Sequence, residues 1–352
     1  MRKRTKTKPV FIGGVQIGGQ DAVVLQSMTT TKTEHIDETL EEIHRLATLG
    51  AEIVRLAIVD GSDAAAIKEL KTKTTVPLVA DIHFDYRLAI QAVDAGIDKL
   101  RINPGNIGSP EHVKAVVDAC KARRVPIRIG VNAGSLAPDL LDKHGRTAKA
   151  MVESAKRHVA MLEAENFTDI IISLKASDVA LTVASYRLAA NTFPYPLHLG
   201  LTEAGPVTSG AIKSAMAMSP LLMEGIGDTI RVSVSGERAE ELRIAKTILA
   251  NTSLYEQSNL IACPTCGRLS YDMMTLLAKV EAYLDANPTT LSVAVMGCAV
   301  NGPGEAKDAD IGIAGGREEG LLFAKGRVVK KVPQAELFEA FVAQINAMIQ
   351  EK

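Results

Sequence analysis

From residue 23 to about residue 250 the chain repeats one pattern: a short apolar run, polar residues at its end, then a stretch with helical periodicity. The runs fall at 23–28, 52–58, 77–84, 99–103, 126–132, 169–176, 197–203 and 229–235. Helical patterns at 37–49, 86–95, 111–123, 148–165 and 237–250 separate them, several closing near glycine as helices tend to. Eight strand–helix units in roughly 250 residues are the arithmetic of a (β/α)8 TIM barrel, an α/β fold. A hairpin at 10–17, turning at Gly13 and Gly14, precedes the repeat and is expected to plug the barrel floor. The longest connection, 134–147, holds Pro138 and Gly145 and reads as a lid.

Past residue 250 the rhythm stops. The expected organisation is a substrate-binding barrel at 1–250, a linker at 251–260 and a small α+β domain at 261–352. That domain is expected to hold a helix at 270–284, strands at 291–296, 311–314, 321–324 and 328–332, and a last helix at 334–349. Met216, Met218 and Met223 read as core gap-fillers.

Three of the four cysteines fall in this last part. Cys263 and Cys266 form a C-x2-C pair, and Cys298 opens a run through Asn301, Gly302, Pro303 and Gly304 to Glu305. Such spacing wraps thiolates around a metal or an iron-sulfur cluster. Three thiolates leave a tetrahedral site incomplete, and a tight turn after Cys298 would swing Glu305 back as the fourth ligand. A carboxylate is harder and more exchangeable than a thiolate, which suits an iron that is offered to a substrate oxygen. Structural zinc is the competing reading, but no histidine lies between 199 and 352 to complete it. A disulfide framework would leave an odd cysteine. Cys120, alone in a helical pattern, reads as a small buried hydrophobe.

Arg55, Arg101, Arg128 and Arg231 each stand between apolar neighbours inside a predicted strand. Alternation puts Arg101 with Asn103, Arg128 with Asn132, and Arg231 with Ser233 on shared faces. Ser173 with Lys175, and Asp81 with His83, follow the same parity. The flanking aliphatics must face the helices, so these polar groups point into the barrel. Crowded cations cannot stay unpaired when desolvated. Asp81 and Glu203 could neutralise two of the five, leaving about three for an external ligand. Guanidinium forks match phosphate oxygens, so a phosphorylated or diphosphate ligand is expected. Internal ion pairs are the alternative.

A net charge of −1 over 352 residues with 47% apolar content implies neither nucleic acid nor membrane as a partner. The basic start has no apolar segment after it, and no run of eighteen apolar residues exists, so a reducing cytoplasm is the expected location.

These residues also carry a resemblance. Gln26-Ser27-Met28-Thr29, Asp81-Ile82-His83-Phe84, Arg101-Ile102-Asn103-Pro104-Gly105-Asn106, Arg128-Ile129-Gly130-Val131-Asn132, Leu201-Thr202-Glu203-Ala204-Gly205, the C-x2-C pair and the Cys298 to Glu305 motif are its anchors. Over essentially its whole length the chain resembles the bacterial 4-hydroxy-3-methylbut-2-en-1-yl diphosphate synthase family of the methylerythritol phosphate route to isoprenoids. The resemblance implies a homodimer with a barrel and a 4Fe-4S domain, the cluster held by Cys263, Cys266, Cys298 and Glu305. It further implies reductive conversion of 2-C-methyl-D-erythritol 2,4-cyclodiphosphate to 4-hydroxy-3-methylbut-2-enyl diphosphate, with flavodoxin or ferredoxin as electron donor. The plant-type insertion is absent.

On that basis Arg55, Arg101, Arg128, Lys175 and Arg231 are expected to bind the substrate's charges, with Asn103, Asn132 and Ser233 adding hydrogen bonds. Glu203 is expected to be the acid, assisted or oriented by Asp81 and His83. Two rival readings are a Schiff-base aldolase using Lys175 and a zinc-stabilised binding protein. Finally, the eighth helix must end opposite the catalytic face, so each active site is expected to be shared between two chains, one chain's cluster domain capping its partner's barrel.

Overall fold

In a computed structural model of the chain, residues 4, 6–299 and 301–350 are described. They form two compact units, the first ending at Leu254 and the second starting at Tyr255.

The first unit opens with the expected antiparallel hairpin, β1 (Val10–Ile12) and β2 (Val15–Ile17). Eight strand–helix units follow: β3 (Val24–Met28) with α1 (Ile36–Thr48), β4 (Ile53–Ala57) with α2 (Gly61–Lys73), β5 (Leu78–Asp81) with α3 (Tyr86–Asp94), and β6 (Lys99–Ile102) with α4 (Pro110–Arg123). Then come β7 (Ile127–Asn132) with α5 (Pro138–His144) and α6 (Ala148–Ala164), β8 (Ile170–Lys175) with α7 (Val179–Ala190), β9 (His198–Leu199) with α8 (Val207–Met223), and β10 (Thr229–Ile230) with α9 (Arg238–Asn251). The strands are parallel in the order β8-β7-β6-β5-β4-β3-β10-β9, and a single bridge from Ile172 to Leu197 joins the two ends. The result is a nearly closed barrel, which bears out the expected fold. Local chemistry starts the helices where the strands stop. Asp60, Asp85, Thr147 and Asp178 each accept a backbone N–H of the first turn that follows.

Strand alternation divides the side chains. Leu100, Ile102, Ile127, Ile129, Ile172 and Leu174 join the apolar layer between strands and helices. The opposite parity fills the barrel, and its character changes along the axis. At the floor Val24, Ile53, Val79 and Ile171 pack against Val10, Ile12 and Ile17 of the hairpin, which is the plug foreseen. Two residues further along β3, β4 and β5 the same parity carries Gln26, Arg55 and Asp81, while Lys99, Arg128 and His198 are register partners of Val79, Ile171 and, through Thr229, Val24.

Several expectations need correction here. β9 and β10 are two residues each, so Glu203 and Arg231 lie beyond the strands rather than on them. Glu203 takes φ 53°, a left-handed conformation that ends extended geometry. After β10 the pairing continues only through isolated bonds, such as Arg231 N–H to the Leu199 carbonyl at 3.1 Å. The lid stretch is not a bare loop: it contains α5, whose Asp139 pairs with Arg157 of α6 at 2.5 Å. Met218 is buried, but Met216 and Met223 are 58% and 46% exposed and fill no core. Cys120 is fully buried, and burial pushes its thiol pKa up.

In the second unit a five-stranded sheet has the order β11 (Asn259–Ala262), β12 (Ser292–Met296), β13 (Ile311–Ala314), β14 (Glu319–Ala324) and β15 (Arg327–Pro333). The first three strands are parallel and the last two antiparallel. Helices α10 (Met273–Ala286) and α12 (Leu337–Gln350) cover one face through Leu276, Val280, Phe341 and Ile345. The other face packs Ala294, Met296 and Phe323 under Ala306 and Ala309. β11 begins inside the stretch read as linker. The run after Cys298 is a single helical turn, α11 (Gly302–Glu305), rather than a simple reverse turn.

Candidate active site

The polar groups of the barrel meet at its mouth. Asp81 on β5 bonds Arg101 Nη1 at 2.9 Å and stands 3.5 Å from Arg55 Nε, tying three adjacent strands. Burial alone would push the Asp81 carboxyl up, but Arg55, His83 and Arg101 outweigh it and hold it well below the usual carboxylate range. Arg101 and Arg128 are register partners on neighbouring strands. Gly130 leaves the space Arg101 needs, since a Cβ there would lie 2.7 Å from Arg101 Nε. Arg128, 1% exposed, donates to Ser173 Oγ at 3.1 Å.

The charge does not balance internally. Burial first, then the neighbouring guanidiniums, hold Arg128 and Lys175 well below their ordinary values, and burial draws Arg55 down to about 10. Arg101 Nε, Arg128 Nε and Nη2, and Arg231 Nε are buried without a hydrogen-bond partner among the described residues. Unmet buried donors on charged groups are costly, so this constellation suits an anion with several oxygens. Not every cation is free: Arg231 pairs with Glu241 of α9 at 3.4 Å. The neutralising carboxylate there is therefore Glu241, not the expected Glu203. Glu241 also accepts from Arg238 at 2.5 Å and from the Val234 N–H at 3.1 Å.

The remaining predicted residues lie around this core. His83 is exposed and sits 3.1 Å from Arg101 Nη1 and 3.6 Å from Asp81. Asn103 is buried, its side-chain oxygen accepting from Gly105 N–H at 3.2 Å. Ser233 is half-buried. Asn132 and Glu203 line one cavity of about 410 Å³ at the ends of β7, β8 and β9, together with Arg146 and Asp178. Sequence reasoning passed over Lys99 and His198, both fully buried. Lys99 donates to Gln26 at 3.0 Å, and His198 bonds Thr229. Their parity with Arg101 and Gly200 could have revealed them.

The thiols occupy the second unit. Cys263 directly follows β11 and Cys298 comes two residues after β12; these strands run parallel with Ala262 beside Val295, so both cysteines leave from the same, C-terminal end of the sheet. Tyr271, which donates to the Met296 carbonyl at 2.9 Å, lies near both: burial pushes its phenol up to about 12, and the two thiols add to the rise. Gly297 lies next to Cys263, since a Cβ there would stand 3.4 Å from Cys263 Sγ. Cys266 and Glu305 are exposed, and among the described residues they do not converge with the other two into a three-ligand group. Among the described residues no three Cys, His, Asp or Glu side chains converge as a single metal ion requires. A cluster sets each ligand on a different iron, so it would not need the four side chains to converge on one point, as a mononuclear zinc does.

Two family models match the chain: the GcpE TIM-barrel domain over residues 7–246 and the GcpE protein C-terminal domain over residues 259–347. A relative from Exiguobacterium sibiricum, named 4-hydroxy-3-methylbut-2-en-1-yl diphosphate synthase (flavodoxin), is 52% identical over 100% of this chain and 96% of its own length. A relative of the same name from Geobacillus thermodenitrificans is 53% identical over 99% of this chain and 94% of its own. Among solved structures, the dihydropteroate synthase of Yersinia pestis matches with a TM-score of 0.50 at 13% identity, over 70% of this chain and 98% of that one, a likeness of fold alone. Matched by both domain models and about half identical to relatives along its whole length, the chain belongs to the GcpE family.

Proposed function

We propose that this chain reductively opens 2-C-methyl-D-erythritol 2,4-cyclodiphosphate and removes one hydroxyl, giving 4-hydroxy-3-methylbut-2-enyl diphosphate. Counted on the neutral acids, the conversion consumes two electrons and two protons and releases one water. The full-length relatives carry the synthase name, and the Schiff-base aldolase reading of Lys175 gives way to it. The observation that supports the substrate class is the set of buried, unpartnered guanidinium nitrogens on Arg101, Arg128 and Arg231. Arg55, Arg101, Arg128, Lys175 and Arg231 take the diphosphate, and Asn103, Asn132 and Ser233 orient the carbon skeleton. Asp81 fixes the Arg55 and Arg101 guanidiniums, with His83 set against Arg101. Glu203, in the cavity with Asn132, gives the proton to the departing hydroxyl.

Cys263, Cys266, Cys298 and Glu305 would hold a 4Fe-4S cluster, which when bound would supply electrons one at a time. A flavodoxin, the donor in the relatives' names, is the partner, and the cytoplasm the location, in keeping with four free cysteines. No helix among the described residues is long and apolar enough to cross a membrane.

The enzyme works as a homodimer. Helix α9 runs back along the barrel, so the chain leaves it at the floor, away from the mouth. Residues 252–258 span at most about 25 Å. Two copies related by a two-fold axis bring each cluster domain to its partner's mouth without straining that segment.

Anaerobically purified protein tests the assignment. About four irons and four acid-labile sulfides per chain are expected, with dithionite-driven conversion of the cyclic diphosphate. Stoichiometric zinc without sulfide, or no conversion by iron-loaded protein, would overturn it.

Substrate binding should also move protons. Burial and the guanidiniums hold the Lys175 amine well below its ordinary value, and a bound diphosphate pulls it back up. Affinity is then highest below the lower, ligand-free pKa and falls as pH rises toward the higher, ligand-bound one. Calorimetry in two buffers of unlike ionisation enthalpy should show net proton uptake within that window. Net release would contradict the geometry.

A further inference from the structure

Five cationic side chains gather at one edge of the second unit. Lys307 follows α11, Lys325 stands in the turn between β14 and β15, and Arg327, Lys330 and Lys331 line β15. β15 is the outermost strand of its sheet, and six of its seven residues are exposed. None of the five side chains has a hydrogen bond or ion pair among the described residues. Asp308 adjoins Lys307 in sequence, and Glu318 and Glu319 stand at the opposite end of the hairpin, where Glu319 pairs with Pro333.

Lysines on an edge strand also discourage sheets from pairing edge to edge. That accounts for Arg327, Lys330 and Lys331 but not for Lys307 or Lys325, which are off the ladder. Lys325 and Gly326 form a two-residue hairpin loop with φ 47° and 75°. Both positions of such a loop favour Gly, Asn or Asp, and a lysine there is strained. Strain kept at an exposed turn points to a use for the side chain.

The turn also lies beside α11, which ends at Glu305. A Cβ on Gly326 would stand 3.4 Å from the Pro303 carbonyl and 3.1 Å from Lys307 Cβ, and Lys325 N–H bonds the Ala309 carbonyl at 3.1 Å. Pro303 belongs to α11, two residues before Glu305. Val328 and Val329, 52% and 58% exposed, add apolar surface between the charges.

We propose that this basic edge is the docking surface for an acidic one-electron carrier protein, seated with its redox group toward α11. The proposal rests on the reductase reading above. Each encounter would oxidise the carrier by one electron, taken up by the iron-sulfur group when bound, so two encounters would supply the two electrons of one turnover. A chain with net charge −1 is no general polyanion binder, and a local positive patch on such a surface steers an oppositely charged protein.

The test reverses the patch with the triple variant Lys307→Glu, Lys325→Glu, Arg327→Glu and compares two reductants. With reduced flavodoxin at limiting concentration, turnover should fall roughly tenfold or more at low salt, and the wild-type advantage should shrink as ionic strength rises. Dithionite-driven turnover and iron content should stay at wild-type levels. Flavodoxin binding to the cluster-free chain, read by surface plasmon resonance, should weaken in parallel. Lys325→Asn guards against a folding artefact: it suits the left-handed turn, so it should raise the melting temperature yet slow the flavodoxin-driven reaction. Wild-type flavodoxin kinetics in the triple variant, or an equal loss with dithionite, overturns the docking surface. Failure of wild-type, iron-loaded protein to convert the substrate with dithionite would instead overturn the reductase reading.

Discussion

Glu203→Gln is expected to cut turnover by about 10²–10⁴-fold while leaving the Michaelis constant and iron content close to wild type. The amide keeps the size and reach of the side chain but has no acidic proton to give. Glu203 is suited to this role because it is exposed, shares a cavity with Asn132 and has no ion pair among the described residues. Its left-handed backbone, φ 53°, is unfavourable for a glutamate and is the kind of strain that collects at functional positions. Steady-state kinetics with dithionite decides the matter, since that reductant removes any effect on the protein donor. Turnover within about threefold of wild type would take Glu203 out of the proton-transfer step.

Mixing an Arg128→Ala chain with a Cys298→Ser chain is expected to restore, at substrate concentrations too low to fill the Arg128→Ala site, activity that neither has alone. Arg128→Ala removes a buried, charge-assisted contact and should weaken substrate binding by about 1.5–3 kcal/mol, roughly tenfold to a hundredfold or more. Its cluster domain is unaltered. Cys298→Ser loses a thiolate ligand and with it the cluster, while its barrel is intact. If each site combines one chain's barrel with the other's cluster domain, a mixed dimer holds one fully sound site. Co-expression with two different affinity tags isolates that species. A mixed dimer as inactive as its parents would show that each chain supplies both halves of its own site.

The barrel's inner wall was legible because two periods coincide. A strand turns every second side chain inward, and Arg55, Arg101 and Arg128 each stand between aliphatics that had to face the helices. That reasoning ends where the strands end. Glu203 was placed on a strand that stops at Leu199, because apolar residues continue past the point where the backbone turns left-handed. Glu241 could not be found this way: it reaches Arg231 from a helix, and its burial depends on how α9 starts over the barrel rather than on any local pattern. Strand β11 was hidden by being a four-residue edge strand with no fully buried side chain. Met216 and Met223 were misjudged because α8 is apolar on several sides, which gives no stripe to mark its inner face. The cysteine motifs named the thiols, but the parallel pairing of β11 and β12 brings Cys263 and Cys298 to one end of the sheet.

The cations stacked above the apolar floor have a consequence for the protein's lifetime. Like charges confined in a desolvated barrel work against folding, and an anion that neutralises them binds the folded chain but not the unfolded one. Substrate at a hundred times its dissociation constant would add about 2.7 kcal/mol to stability. Substrate depletion would thus leave the folded chain easier to unfold, a link between substrate supply and stability that needs no regulatory site.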